Sequence, residues 1–319
     1  MQALLTQLEY ELKRFDATQG SIETLFIGGG TPSTVAPHLY APIFNLISPY
    51  LKKDAEITSE ANPNSATYEW LEGMKQLGVN RISFGVQSFS KAKLKLLNRA
   101  HTPEMAKEAL LNAAKIGYKN LSLDLIYATL GDTKELLQKD IESAFSLPIN
   151  HLSAYALTIE EGTAFQSHPE MASEQLEMTQ WIFSQIKQQN FSQYEISNFG
   201  TYHSKHNLGY WQYKDYIGAG AGAVGKLATK RYYPTPSIEA YIKNPLSIKE
   251  EILSHEDIRL EKIFLGFRSC VGVQEDILTE EEKKRASLLV QEKKLHFKDT
   301  TFFNPEYLLA DEIALYLTS

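Results

Sequence analysis

Cysteine is nearly missing: the 319 residues contain one, Cys270. A single thiol excludes an intrachain disulfide and any cysteine-rich metal site built from this chain alone. In Phe267-Arg268-Ser269-Cys270-Val271 it is expected to be a buried structural thiol. An excess of basic charge is lacking too. With 32 Lys and Arg against 39 Asp and Glu, the net charge of -7 gives no general attraction to phosphate backbones. No Lys/Arg cluster is long or interleaved with aromatics, so nucleic acid is not expected as a partner. No apolar run approaches the ~20 residues of a membrane span. The opening stretch MQALLTQLEYELKRF lacks the order of a secretion signal, and a cytoplasmic protein is expected. Repeats and low-complexity linkers are absent. The apolar fraction of 43% and charged fraction of 22% are ordinary for a globular chain. The length suits one large α/β domain and a smaller one.

The first half alternates short β-branched or aromatic runs with helix-period segments, the pattern of parallel sheets. Strands are expected at 22–27, 56–60, 81–86, 121–127 and 151–157, and helices at 37–51, 65–77, 103–116 and 134–145. Gly78 and Gly117 follow two of these helices, where a left-handed residue is normally needed. Barrel and open sheet are poorly separated by pattern alone. After a helix at 173–189 the pattern changes to short aromatic strands and glycine-rich turns, then from Glu256 to helices and a hairpin. The charge run Glu280 to Arg285 reads as a solvated helix face.

Phe26-Ile27-Gly28-Gly29-Gly30-Thr31-Pro32-Ser33 ends the first expected strand, and its glycines let backbone amides approach a ligand closely. A tight strand-to-helix turn explains the run equally well when it is taken alone. Four polar residues recur on or just past strand ends: Glu60 in SEANPNS, Gln87 in ISFGVQSF, Arg99 in LNRAH and Asp124 in LSLDLIYA. Singly, each reads as an ion pair or a cap. Their recurrence at successive strand ends points to one polar site.

FIGGGTPS, EANP, GVNRISFGVQSF with NRAH, LDLIY and HLSAYALTIEEGT, in that order over 22–163, resemble the radical S-adenosylmethionine coproporphyrinogen oxidase family. The resemblance implies an incomplete TIM-like barrel over 1–172 and a smaller C-terminal α+β domain over 173–319. It implies S-adenosylmethionine as cofactor, its methionyl end met by Gly28, Gly29, Gly30 and Thr31. Glu60, Gln87, Arg99 and Asp124 occupy the matching polar positions. Arg99 suits the ligand carboxylate by forked hydrogen bonding, and Gln87, Asp124 and Glu60 suit ribose hydroxyls and the amino group.

His206-Asn207-Leu208-Gly209-Tyr210-Trp211 matches an H-N-x-x-Y-W signature similar to that of the haem-binding branch of this family. Imidazole ligates haem iron, and Tyr210 and Trp211 suit a flat macrocycle, so His206 is the expected axial ligand with Asn207, Tyr210 and Trp211 around it. His203 is the fallback ligand. Without the resemblance, a histidine bonded within an aromatic core is the favoured reading. The nearby YIGAGAGA run reads first as close backbone packing and second as cofactor contact.

Two departures stand out. The family's C-x-x-x-C-x-x-C, which holds a 4Fe-4S cluster, lies ahead of the segment aligning with Met1, and Cys270 cannot replace three ligands. A start assigned downstream of the true one is expected rather than a paralogue that has lost its cluster. In YATLGDT the family's usual proline before the glycine and glutamine after it are missing, a departure that touches only the geometry of that loop. The expected function is a haem-binding chaperone that passes haem to a haem-requiring membrane enzyme. The alternatives are an oxygen-independent coproporphyrinogen III oxidase-like enzyme of porphyrin synthesis or a catalytically silent paralogue. Whether the chain is an enzyme, and whether it forms a homodimer, are left open.

Overall fold

The computed structural model describes residues 1–159, 165–173 and 176–319. In chain order the elements are α1 (Gln2–Arg14), β1 (Ile22–Ile27), α2 (Ala41–Ile47), β2 (Leu51–Ala61), α3 (Tyr68–Leu77), β3 (Arg81–Gln87) and α4 (Lys91–Leu96). There follow α5 (Pro103–Ile116), β4 (Asn120–Tyr127), α6 (Lys134–Phe145), β5 (His151–Ala156), α7 (Leu176–Gln188), β6 (Ser192–Gln193), β7 (Asn198–Gly200) and α8 (Lys205–Trp211). The chain continues with β8 (Gly225–Leu227), β9 (Lys230–Pro234), α9 (Ile238–Lys243), β10 (Ile248–Ile252), α10 (His255–Phe267) and β11 (Val273–Gln274). It closes with α11 (Glu280–Gln291), β12 (His296–Lys298), β13 (Thr301–Phe303) and α12 (Ala310–Thr318).

Contacts divide these residues into two compact units. The sheet unit takes Thr24–Leu39 and Glu56–His203. The second unit takes Met1–Glu23, Tyr40–Ala55 and Ser204–Ser319.

A seven-stranded sheet runs in the order β1-β2-β3-β4-β5-β7-β6. The pairings β2–β3, β3–β4 and β4–β5 are parallel, and β7 is antiparallel to both β5 and β6. This is the α/β parallel sheet that the alternating pattern predicts. Helix α5 packs on β3 and β4, and α6 on β4. Thr67, Thr102 and Thr133 cap α3, α5 and α6 by accepting from the amides of Trp70, Met105 and Leu136. Gly78 and Gly117 close α3 and α5 in the left-handed region, at φ 108° and 98°.

The strands of a parallel sheet usually read as continuous apolar runs. Here they alternate. Ile82, Phe84 and Val86 of β3 and Leu121, Leu123 and Leu125 of β4 are buried on one face. By the two-residue period, Arg81, Ser83 and Gln87, with Ser122 and Asp124, occupy the other. Register aligns these polar positions across the sheet: Glu60 stands opposite Ser83, Ser83 opposite Ser122, and Ser122 opposite His151. One row further on, Asp124 faces Ser153 and Ser153 faces Asn198.

The helix expected over 37–51 is broken. It is a short turn at Pro37–Leu39, then α2, then another turn at Ser48–Tyr50, and Leu51 already opens β2. Pro42 and Pro49 sit at the starts of α2 and the second turn, where a missing amide is tolerated, and neither can lie inside a longer helix. The helix expected from Ser173 begins at Leu176, with residues 174–175 outside those described. The end of HLSAYALTIEEGT, residues 160–163, also lies outside them.

In the second unit, two three-stranded antiparallel sheets have the orders β10-β9-β8 and β11-β13-β12. Helices α10 and α11 each open with a capping box, Ser254 with Asp257 and Thr279 with Glu282. They enclose a core of Ile263, Phe267, Leu289, Phe302, Ile313 and their neighbours, all drawn from α10 onward. Cys270, expected to be buried, is exposed. It follows α10 after the buried Ser269 and precedes Gly272, whose positive φ of 72° turns the chain into β11.

Candidate functional site

At the β2–β4 strand ends of the sheet unit lies a pocket of ≈ 210 Å³ lined by Gly30, Thr31, Pro32, Glu60, Ala61, Asn62, Ser83, Gly85, Gln87, Arg99 and Asp124. The structure thus brings Glu60, Gln87, Arg99 and Asp124 together with the end of the glycine run. Gly28 and Gly29 are not among the lining residues. A Cβ on Gly28 would lie 2.6 Å from Phe26 Cε1 and 3.1 Å from the Glu60 carboxyl, and the Gly29 amide donates to Glu60 Oε2 at 3.3 Å. Gly29 and Gly30 have φ of 75° and 63°, a conformation that L side chains rarely adopt.

Gln87 also carries a positive φ, 69°, where the β3–β4 register shifts after Phe84. A non-glycine residue held there marks a place where the surroundings override local preference, common at ligand sites. Gly85 lies close beside it: a Cβ would come within 3.1 Å of Gln87 Nε2 and 3.3 Å of Asn62 Oδ1. Arg99 sits between α4 and α5, its amide donating to the Leu94 carbonyl. The loop that follows β4 is pinned to α4 by the buried pair Lys93 and Asp132, 2.7 Å apart.

The charges at this site are strongly perturbed. Burial pushes the Asp124 carboxyl up to about 6, helped by Glu60 and opposed by the Ser153 hydroxyl and by Arg81 and Arg99. Burial also raises Glu60, against the Gly29 amide, and lowers Arg99, against the attraction of Asp124. Two acidic groups and one guanidinium around a polar cavity can bind a zwitterion with hydroxyls. Asn62 and Ser83 were not singled out from the sequence. The readable signal for Asn62 is spacing, two residues past Glu60, whereas Ser83 lies four residues before Gln87 in the same strand.

His206, Asn207, Tyr210 and Trp211 belong to the second unit, on α8. Ser204 caps this helix by accepting from the Asn207 amide at 3.3 Å. Four-residue spacing places His206 with Tyr210, and Asn207 with Trp211, on adjacent stripes. His206 Nε2 lies 3.1 Å from the Tyr210 hydroxyl, and the rings meet edge to face at 4.9 Å. Tyr210 meets Tyr216 in the same way at 4.7 Å. It keeps 41% of its surface exposed, so this aromatic cluster is open and not a closed core.

His203 is placed elsewhere, in the sheet unit, stacked on Tyr194 at 4.4 Å and 3.2 Å from Ser192 Oγ. The glycine run after Tyr216 serves close packing: a Cβ on Gly218 would lie 2.0 Å from the Val224 carbonyl oxygen. Buried Gln7 pins this turn, donating to the Gly218 carbonyl at 3.2 Å and accepting from the Gly220 amide at 2.9 Å and the Tyr241 hydroxyl at 2.7 Å. Among the described residues, no group of three or more His, Cys, Asp or Glu is placed to hold a metal ion.

The radical SAM superfamily profile matches residues 4–144. "Heme chaperone HemW" of Lactococcus lactis is 34% identical over 285 residues, covering 85% of this chain and 75% of that protein. The protein of the same name from Bacillus subtilis is 34% identical over 289 residues, covering 84% and 76%. That from Escherichia coli is 38% identical over 236 residues, covering 71% and 61%. Among solved structures, the radical SAM coproporphyrinogen III oxidase HemN of Escherichia coli superposes with a TM-score of 0.81, covering 99% of this chain and 82% of that one at 18% identity. That identity supports a shared fold alone.

Proposed function

The chain belongs to the HemW family within the radical SAM superfamily, and from that premise we propose that it is a haem-binding chaperone that passes haem to a haem-requiring membrane enzyme. The observation carrying this reading is α8. It sets an imidazole, His206, beside the half-open ring of Tyr210, with Asn207 and half-buried Trp211 on the next stripe. Imidazole supplies an axial ligand to haem iron, and the aromatic rings supply flat apolar surface to the macrocycle. No helix among the described residues is long and apolar enough to cross a membrane.

The strand-end pocket is read as the S-adenosylmethionine site. Its residues fit that group: Arg99 takes the carboxylate, Glu60 the amino group, Gln87 and Asp124 the ribose hydroxyls, and Gly30 and Thr31 the methionyl end. Bound there, S-adenosylmethionine supplies a sulfonium whose reductive cleavage needs an iron-sulfur cluster. The residues present do not fit that cluster, because the one thiol is Cys270, exposed and in the second unit. No radical step is therefore assigned to them.

Haem titration of the full chain and of His206→Ala tests the chaperone reading. The parent should develop an imidazole-type Soret band that the variant lacks. Unchanged spectrum and affinity in His206→Ala would remove the ligand assignment.

A further inference from the structure

The polar face of the sheet continues below the pocket. Arg81 lies two residues before Ser83 on the same face of β3 and is 2% exposed. Its Nε has no hydrogen-bond partner, and it makes no ion pair among the described residues. A guanidinium in a protein interior is costly unless a charge offsets it. The nearby Glu56 accepts from the Tyr202 hydroxyl at 2.7 Å and acts on that tyrosine as a charged neighbour together with Arg81, while burial and then Arg81 push His151 well below its ordinary value.

Within the pocket, the group that gains from Arg81 is Asp124. It is faced by Glu60 from β2, Arg81 from β3, Arg99 from the segment before α5, and Ser153 and Tyr155 from β5. Burial and Glu60 favour its protonated form; Ser153, Arg81 and Arg99 favour the ionised one. Arg99 lines the pocket and is the group suited to a ligand carboxylate. Once it is so engaged, its charge is neutralised for its neighbours, and Arg81 is the cation left to Asp124.

We propose that Arg81 is a positioning residue for this pocket, a buried countercharge that keeps Asp124 an ionised hydrogen-bond acceptor while Arg99 holds the ligand carboxylate. This rests on the reading of the pocket as an S-adenosylmethionine site. A carboxylate accepts from two ribose hydroxyls, whereas a protonated carboxyl must present its own donor to one of them. The two guanidiniums therefore divide the work: one touches the ligand, and the other sets the state of the residue that does.

Calorimetry with S-adenosylmethionine on the full chain, between about pH 5 and about pH 8.5, tests this. Parent affinity should fall as pH drops through about 6, where Asp124 gains its proton. Arg81→Met should move that fall up by about one pH unit, which weakens binding about twofold at pH 7 and nearly tenfold at about pH 5. Arg81→Lys should keep the parent profile, and Asp124→Asn should bind more weakly with no fall in this window. Affinity lowered equally at every pH in Arg81→Met, or an unmoved profile, overturns the proposal. Should the methionine variant not fold, Arg81→Gln, which keeps polar groups without charge, decides by the same profile. A parent chain that binds no S-adenosylmethionine overturns the pocket reading and this inference together. A parent that binds, with its pH dependence removed by Asp124→Asn and unmoved by Arg81→Met, overturns the role of Arg81 alone.

Discussion

The amide of Gly29 donates to Glu60 Oε2 at 3.3 Å, tying the glycine turn after β1 to the acidic end of β2. The carboxylate is aimed by backbone, and the neighbouring glycine leaves room for it. Gly28→Ala puts a methyl 3.1 Å from that carboxyl and 2.6 Å from Phe26 Cε1. The variant should lose about 1 to 3 kcal/mol in urea unfolding and bind S-adenosylmethionine more weakly. Full stability with full binding would mean that Phe26 and Glu60 can give way freely.

Glu195 offers a test of pH-linked stability. It is buried, accepts from the Ser197 amide at 3.3 Å, and burial pushes its carboxyl up to about 7. The folded state therefore binds this proton more tightly than the unfolded one. The resulting stabilisation is complete below the ordinary carboxylate value and is lost as pH rises through about 7. The loss is at most about 3 kcal/mol. Melting temperatures of Glu195→Gln and the parent should converge near pH 5 and separate in favour of the variant near pH 8.

Lys93 and Asp132 form a pair whose side chains are 2% and 5% exposed. Lys93→Met leaves a buried carboxylate without its cation and should cost roughly 3 to 5 kcal/mol in denaturant unfolding. Adding Asp132→Asn should restore much of it. A double variant no more stable than Lys93→Met would show that the loop after β4 depends on more than charge balance.

On α8, Trp211→Ala should weaken haem affinity and keep the imidazole-type spectrum, because a stacking wall and an axial ligand contribute differently. Titration with spectra at saturation separates the two. Loss of the ligand signature would make Trp211 essential to the geometry of His206.

Much of the sheet unit was legible because its strands alternate: in β3, Ile82, Phe84 and Val86 point one way and Arg81, Ser83 and Gln87 the other. The bounds read for α5 and α6 match Pro103–Ile116 and Lys134–Phe145, since threonine caps and apolar periodicity agree there. The first half of β2 was hidden by exposed Lys52, Lys53 and Asp54, which carry no alternation. In the pocket, Glu60, Gln87, Arg99 and Asp124 stood out as polar groups at strand ends, whereas Asn62 and Ser83 resembled ordinary turn and strand residues. Glu195 gave no signal, because its burial depends on β5 and β7 being paired across a long stretch of chain. Cys270 misled: sulfur chemistry favours burial, but the turn into β11 carries it outward.

The core beneath α10, α11 and α12 takes its buried members from Ile263 to Leu317 alone. Closing loops between partners so near along the chain costs little entropy, and capping boxes at two of the helices set their starts from adjacent residues. The parallel strands must instead bring together residues separated by whole helices before any contact rewards them. Refolding should therefore proceed in two tempos, with the amides of α10 and α11 protected from exchange early and those of β3 and β4 late.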